Sequence, residues 1–224
     1  MRQSAGSPRG GWSALLVPGL SALLVLAACG QSKVPAAAPI TATTSAAKIA
    51  CTAGGSSVAN PPSSATSIGA PTNTPVQLIH GHTLAEVFTA SSSILAVASQ
   101  SPTWFTAGSG YTLTLLKGAG LKGATIACAV FNNATDNQWN ELDLTTAAPA
   151  GMYTLEMAHP TGTATAACPG HSSEPNCSTT PLSGKTGGVI GWWQNNAGAD
   201  SGDYSIINGQ QTGGSFSIYY IIGQ

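Results

Sequence analysis

The apolar residues of this chain fall in short runs that Gly, Asn, Ser and Pro separate. None of the runs repeats with the period of a helix, and many are rich in β-branched and aromatic residues. The pattern predicts strands near residues 83–89, 93–100, 111–117, 124–131, 139–144, 151–158, 188–194 and 215–222, with a ninth short strand at 204–207. Many short strands of this kind predict an all-β domain, an antiparallel β-sandwich.

Two of the predicted strands indicate how the sheets are covered. In 151–158, Tyr153, Leu155 and Met157 alternate with polar residues, which predicts one buried face and one solvated face. The run 125–131 is apolar on both faces. This second strand should therefore lie in the middle of its sheet or be covered on its outer side by the preceding segment of the chain.

The segment before these strands has a different composition. From Gly30 to Pro75 the chain is mostly Ala, Thr, Ser and Pro, with almost no large apolar residues. Such a segment buries too little apolar surface to offset its conformational entropy, so residues 29–75 are predicted to form a disordered tether. Residues 76–224 are enough for one domain with a core of its own. Within it, residues 160–187 are interpreted as an insertion.

The N-terminus has the features of an export signal. Arg2 and Arg9 precede an apolar stretch, residues 12–27, that is too short and too interrupted for a comfortable membrane span. This stretch ends in Leu26-Ala27-Ala28-Cys29, which resembles the lipobox of bacterial lipoproteins.

The resemblance to a lipobox implies a specific processing route. Residues 1–28 would be removed, and Cys29 would carry a thioether-linked diacylglycerol. Two or more acyl chains anchor a protein firmly, because each buried methylene contributes about 0.8 kcal/mol. The expected location is therefore the cell membrane, with the protein lipid-anchored and facing outward. The alternative interpretation is an uncleaved anchor helix that ends in an unrelated cysteine.

The charge of the chain limits its partners. Only 7% of its residues are charged, and the chain from Cys29 onward keeps five lysines against all eight acidic residues, and therefore a formal charge of −3. Such a chain has no basic patch for nucleic acid, so no nucleic-acid partner is expected.

Four further cysteines are expected to form disulfides, because an exported protein meets oxidising conditions. Three pairings are arithmetically possible. The favoured one joins Cys168 to Cys177, which would fasten a polar loop, and Cys51 to Cys128, which would attach the tether to the domain. The competing interpretation is a zinc site at Cys168, His171 and Cys177, but the spacing lacks a second cysteine pair.

The order of the segments resembles the accessory jelly-roll modules of bacterial glycoside-active proteins, whose fold is galactose-binding-like. The motifs that carry the resemblance are Trp139-Asn140-Glu141-Leu142-Asp143-Leu144, Ala150-Gly151-Met152-Tyr153-Thr154-Leu155-Glu156 and Gly191-Trp192-Trp193. It extends over nearly all of residues 80–224 and implies a carbohydrate-binding domain. The chain departs from the family pattern at the long insertion 160–187, which could alter a neighbouring binding face.

The tryptophans are the best candidates for sugar-binding residues. Trp192 and Trp193 are adjacent on a predicted strand, so they point to opposite faces, and one can be core while the other is exposed. An exposed indole is a flat apolar plate on which a sugar ring can stack. Asn195 and Asp203 follow closely and could bind sugar hydroxyls. Trp139 shares a strand face with two acidic residues and is expected to point outward. The alternative is that these tryptophans are core residues.

No catalytic constellation is predicted. Glycoside hydrolysis needs two carboxylates about 5–10 Å apart across a pocket. The candidate pairs are Glu141 with Asp143 and Asp200 with Asp203, and each pair lies on a single short segment. The chain also has no nucleophile elbow and no phosphate-binding glycine loop. We therefore expect a protein that is not an enzyme.

Metal and cofactor sites have little support in the sequence. His80 and His82 are expected to be solvated loop residues. Asp200 and Asp203 could help to bind a structural calcium ion through a loop rich in carbonyl oxygens, although a turn also explains this composition. No other cofactor is predicted.

Two classes of function therefore remain. The first is a non-catalytic surface module that holds a polysaccharide or a cell-wall glycan. The second is a structural or protein-interaction lipoprotein that has the same fold and no sugar site. Exposure of Trp192 or Trp193 would favour the first class, and burial of every tryptophan would favour the second.

Overall fold

The structure, a computed structural model, describes residues 49–55, 57–69, 74–161, 189–195 and 202–223. All of these residues belong to the unit Ala46–Gln224. They form strands, turns and loops, and no helix occurs among them. The prediction of an all-β sandwich is therefore confirmed.

The largest sheet contains seven strands. They are β1 (Thr52–Ala53), β5 (Leu84–Ala90), β7 (Gly110–Lys117), β8 (Thr125–Phe131), β10 (Gly151–Thr161), β12 (Tyr204–Ile207) and β13 (Gln210–Thr212). Their spatial order is β1-β8-β7-β10-β5-β12-β13. All neighbours in this sheet are antiparallel except β1 and β8, which run parallel.

The remaining strands form two smaller sheets. The five-stranded sheet contains β2 (Ser57–Val58), β3 (Ala65–Ile68), β6 (Ile94–Ser101), β9 (Gln138–Ala148) and β15 (Ile218–Ile222), in the order β2-β9-β6-β15-β3. The three-stranded sheet contains β4 (Thr74–Gln77), β11 (Gly191–Asn195) and β14 (Ser215–Phe216), in the order β14-β11-β4.

The strands expected between residues 83 and 222 are all present, with bounds that differ by a few residues. The largest difference is at 215–222, which is two strands rather than one. Ser217 separates them: its N–H donates to Trp193 O at 2.8 Å, and its carbonyl accepts from Gln100 N at 3.2 Å. The chain therefore crosses from the three-stranded sheet to the five-stranded sheet at Ser217.

The core lies between the sheets. Tyr153, Leu155 and Met157 are fully buried, as their alternation predicts. Phe88 on β5 stacks on Tyr220 of β15, with ring centroids 5.5 Å apart, and so joins the large sheet to the five-stranded one. Burial of such side chains is the main favourable term in the stability of a sandwich.

The opposite face of β10 was predicted to be solvated, and this is wrong at Thr154. Thr154 is fully buried, and its hydroxyl donates to Gly118 O at 2.8 Å. A second apolar cluster covers this outer face, formed by Ala85, Val87 and Ile206 with Leu121 packed against it. The loop after β7 thus brings apolar side chains to a face that the alternation alone assigns to water.

The N-terminal strands overturn part of the predicted tether. β1, β2 and β3 all lie before residue 76, and each pairs with a strand of the domain. The predicted disulfide between Cys51 and Cys128 is present, with Cα atoms 4.7 Å apart, and it attaches this segment to β8. Sheet edges supply hydrogen-bond partners that a composition rich in Ala, Thr and Ser does not reveal. Ordered structure therefore begins well before residue 76.

Several predicted features lie outside the described residues. They are the signal segment 1–28, the lipidation site Cys29, the Cys168–Cys177 pair with His171, and Asp200. Among the residues that are described, no helix is long and apolar enough to cross a membrane.

Candidate ligand-binding site

The adjacent tryptophans of β11 have different environments, as their predicted opposite orientations require. Trp192 is fully buried and stacks on Phe216 with ring centroids 4.7 Å apart. Its indole N–H donates to Ser217 O at 2.9 Å. Trp192 is therefore a core residue with its one polar group satisfied, and its predicted role in ligand binding does not fit this position.

Trp193 points to the outer side of the three-stranded sheet and is partly exposed. Its backbone pairs with Pro75 of β4. Its indole N–H donates to Oδ1 of Asn137 at 2.8 Å. This bond fixes the edge of the ring, so Trp193 is held in one orientation at the surface.

Asn137 is itself held firmly. Its φ is +59°, a left-handed conformation that Asn tolerates better than most residues. Its N–H donates to Ser101 O at 3.0 Å, and its carbonyl accepts from Nε2 of Gln100 at 3.1 Å. Its Nδ2 donates to Oδ2 of Asp136 at 2.8 Å. The indole is thus anchored to a short polar segment that carries an amide and a carboxylate.

Asp136 retains hydrogen-bonding capacity toward a ligand. Its Oδ1 accepts from the N–H and the hydroxyl of Thr103, at 2.6 and 3.2 Å, and its Oδ2 accepts from Asn137. A carboxylate offers about four lone-pair positions, so, among the contacts between described residues, one position on Oδ2 is left for a further donor such as a sugar hydroxyl.

Trp104 lies beside this surface and is 8% exposed. It packs on Gly191, where an added Cβ would lie 2.8 Å from Cη2 of Trp104 and 2.7 Å from Val76 O. The glycine is thus required for the close approach of the ring. Since Gly191 and Trp193 share one face of β11, the Trp104 ring lies on the same outer side as Trp193.

The expected exposure of Trp139 is wrong. Trp139 does share the outer face of its sheet with Glu141, but it is only 7% exposed. Its ring lies 5.1 Å from that of Tyr219, and Val58 of β2 pairs with it directly. Packing against Tyr219 and Val58 on this face leaves little of the Trp139 ring accessible to a sugar.

The two polar candidates lie on different sheets. Asn195 is on the same face of β11 as Trp193, two residues further along. Asp203 precedes β12, and its Oδ1 accepts a hydrogen bond from the N–H of Thr89 on β5 at 3.2 Å. Asn195 is therefore placed on the Trp193 face, whereas Asp203 has a structural contact on the seven-stranded sheet.

Two acidic groups, those of Glu141 and Glu86, have structural partners. Oε2 of Glu141 accepts from the Tyr219 hydroxyl at 2.6 Å. Burial and this neighbouring carboxylate raise the pKa of Tyr219 above its ordinary value. Glu86 is fully buried, and its Oε2 accepts from Phe216 N and from the Ser205 hydroxyl. In the described part of the chain, no three His, Cys, Asp or Glu side chains cluster as metal ligands.

A separate hollow of about 350 Å³ lies on the outer side of the seven-stranded sheet. Its lining is mostly apolar and comes from the loop after β7 and the turn after β12: Ala119, Gly120, Leu121, Lys122, Ile206 and Gly209. It has a single charged side chain, that of Lys122, and so lacks the convergent polar groups that orient a ligand.

Asp136 and Asn137, which hold the Trp193 indole, were not predicted as site residues, and neither was the exposed Phe105. Phe105 is 88% exposed and has a φ of +58°. The sequence Asp136-Asn137 is typical of a turn, which could have indicated Asn137. A lone Phe in a loop carries no comparable signal.

No family model matches the chain, and no curated protein matches it significantly.

Proposed function

We propose that this protein is a cell-surface lipoprotein whose β-sandwich binds a glycan without catalysis. The observation that carries the proposal is Trp193, a partly exposed indole whose edge is fixed by Asn137. A ring held in one orientation at the surface loses little freedom when a sugar stacks on it, and pre-organisation of this kind favours binding.

Polar groups near the ring add the second element of sugar recognition. Asp136 and Asn137 lie on the segment that holds the indole, and Asn195 is on the same strand face. Carbohydrate recognition combines an apolar plate with hydrogen-bond partners for the hydroxyls. The anchoring part of the proposal rests on Leu26-Ala27-Ala28-Cys29, which resembles a lipobox.

The experiment that tests this function compares the two adjacent tryptophans. We expect Trp193→Ala to weaken glycan binding by about 1–3 kcal/mol, because aromatic contact with the sugar is lost. Its melting temperature should change little. Trp192→Ala is the matched control, because it removes the same side chain from the core and should cost about 3–5 kcal/mol of stability.

Binding is measured by calorimetry with a panel of cello-, xylo-, manno- and chito-oligosaccharides, and stability by thermal unfolding. If Trp193→Ala binds as tightly as the parent, the indole is not a sugar plate. If the parent binds no glycan, the structural or protein-interaction lipoprotein becomes the better account.

A further inference from the structure

Phe105 is a central residue of a β-turn whose backbone conformation is unfavourable for a phenylalanine. The N–H of Thr106 donates to Thr103 O at 3.0 Å, so residues 103–106 form a β-turn. Both central residues have positive φ, +49° at Trp104 and +58° at Phe105. These φ values are those of a type I′ turn, whose central positions are dominated by Gly, Asn and Asp. Two aromatic L-residues there are sterically unfavourable.

The surroundings hold this turn in place. The hydroxyl of Thr106 donates to Thr103 O at 2.6 Å and accepts from Val189 N at 2.7 Å. The hydroxyl of Ser109 donates to Val189 O at 2.7 Å. An unfavourable backbone conformation persists only where neighbouring interactions over-determine it, and such sites cluster where a protein binds or reacts.

Packing explains one of the two aromatic residues. Trp104 fills the space over Gly191 and is nearly buried, so its packing contacts offset the energetic cost of its positive φ. Phe105 is 88% exposed and gains almost no burial. The fold therefore gives no reason for a phenyl ring at a position where Asn or Gly would be favoured.

The network that fixes this turn also fixes Trp193. Asp136 accepts from the N–H of Thr103, the residue before the turn, and from Nδ2 of Asn137. Asn137 in turn accepts from the indole of Trp193. Asp136, which holds the turn that carries Phe105, and Asn137, which holds Trp193, are thus adjacent in sequence and hydrogen-bonded to each other.

We propose that Phe105 is a second stacking residue of the glycan site, and that the site takes an oligosaccharide long enough to contact both rings. This inference rests on the proposed function. Two stacking rings contact different sugar units of one chain, so an oligosaccharide should bind much more tightly than a monosaccharide.

The test uses Phe105→Asn in the full-length protein. Asn tolerates positive φ, so the variant should melt at the same temperature as the parent or higher. Its affinity for the hexasaccharide of the oligosaccharide series that the parent binds should fall about tenfold, and binding of the monosaccharide should not change. Leu95→Ala is the control, because it removes another exposed apolar side chain, on β6.

The outcomes separate the two proposals. If Phe105→Asn binds the hexasaccharide like the parent while Trp193→Ala does not, the second plate is refuted and the glycan site stands. An equal loss for mono- and hexasaccharide, or an equal loss in Leu95→Ala, also overturns the proposed role of Phe105. If the parent binds no oligosaccharide of the panel, both proposals fall together.

Discussion

Among the described residues, Glu86 is the one whose ionisation should affect the stability of the fold most. Its carboxyl group is fully buried, and removal from water raises its pKa to about 8 despite hydrogen bonds from Phe216 and Ser205. The negative charge of Asp203 acts in the same direction. Glu86 is therefore mostly protonated at neutral pH, and its charged form is disfavoured by the folded state.

A pH dependence of stability follows from this pKa. The folded value lies above the ordinary value of 4.5, so the folded state binds the proton more tightly than the unfolded state. The contribution of the protonated Glu86 to the free energy of unfolding is fully present below pH 4.5 and is lost as the pH rises toward 8. Within this window we expect the free energy of unfolding to fall as the pH rises.

The measurement is denaturant unfolding of the parent and of Glu86→Gln across that window. Gln keeps the shape of the side chain and does not ionise, so the slope should be smaller in the variant. A smaller slope of the same sign should remain, because burial also raises the pKa of Glu156. Equal slopes in the two proteins would contradict this role of Glu86.

At the scale of single residues, the sequence predicts orientation better than exposure. The opposite orientations of Trp192 and Trp193 follow from their adjacency on a strand, and the structure confirms them. The face of Trp139 is also as predicted, but its ring is buried against Tyr219 and Val58 on that face. Exposure depends on which other segments pack on a face, and no local pattern around Trp139 contains that information.

At the scale of elements, the Cys51–Cys128 disulfide should contribute strongly to stability. It closes a loop with a sequence separation of 77 residues and joins the N-terminal strands to β8. In the chain-entropy account, a cross-link of this length contributes about 4–5 kcal/mol. Cys51→Ser with Cys128→Ser should therefore unfold at lower denaturant concentration, and residues 49–69 should be cleaved first by protease.

The control for this variant is Cys168→Ser with Cys177→Ser. The two cysteines are close in sequence, so any bond between them closes a short loop and should contribute less. If both double variants lose the same stability, or if protease leaves residues 49–69 intact, the Cys51–Cys128 disulfide does not hold the N-terminal strands on the domain.

The elements that the sequence predicts have alternating or continuous large apolar residues and lie between β5 and β15. It misses β4, β13 and the three N-terminal strands. The residues of β1, β2 and β3 are mostly Ala, Thr, Ser and Val. Such strands gain backbone hydrogen bonds at the edges of existing sheets and bury little surface of their own. Their formation is a property of the assembled sandwich, so composition alone assigns them to the tether.

At the scale of the whole molecule, the lipid anchor is the feature to test. Replacing Cys29 by Ser should release the protein from membranes, because Ser cannot form the thioether to diacylglycerol. The measurement is the distribution of protein between membrane and soluble fractions after washing without detergent. Retention of a normally processed variant in the membrane fraction would contradict the lipoprotein proposal.

The pairing of β1 to β3 with the domain also decides which soluble protein is suitable for binding studies. Residues 46–224 contain all the described strands, whereas a fragment that starts at residue 76 would lose these strands and the Cys51–Cys128 disulfide. The shorter fragment would also uncover Trp139, since Val58 of β2 pairs with it. Binding by such a fragment would not report on the native surface.

A glycan array probed with residues 46–224 and, in parallel, with the Trp193→Ala variant tests whether the exposed indole binds sugar. We expect the parent to bind at least one class of polysaccharide and the variant to lose most of this signal while remaining folded. Absence of binding by the parent, or equal binding by the two proteins, would contradict the claim that Trp193 is a sugar-binding plate.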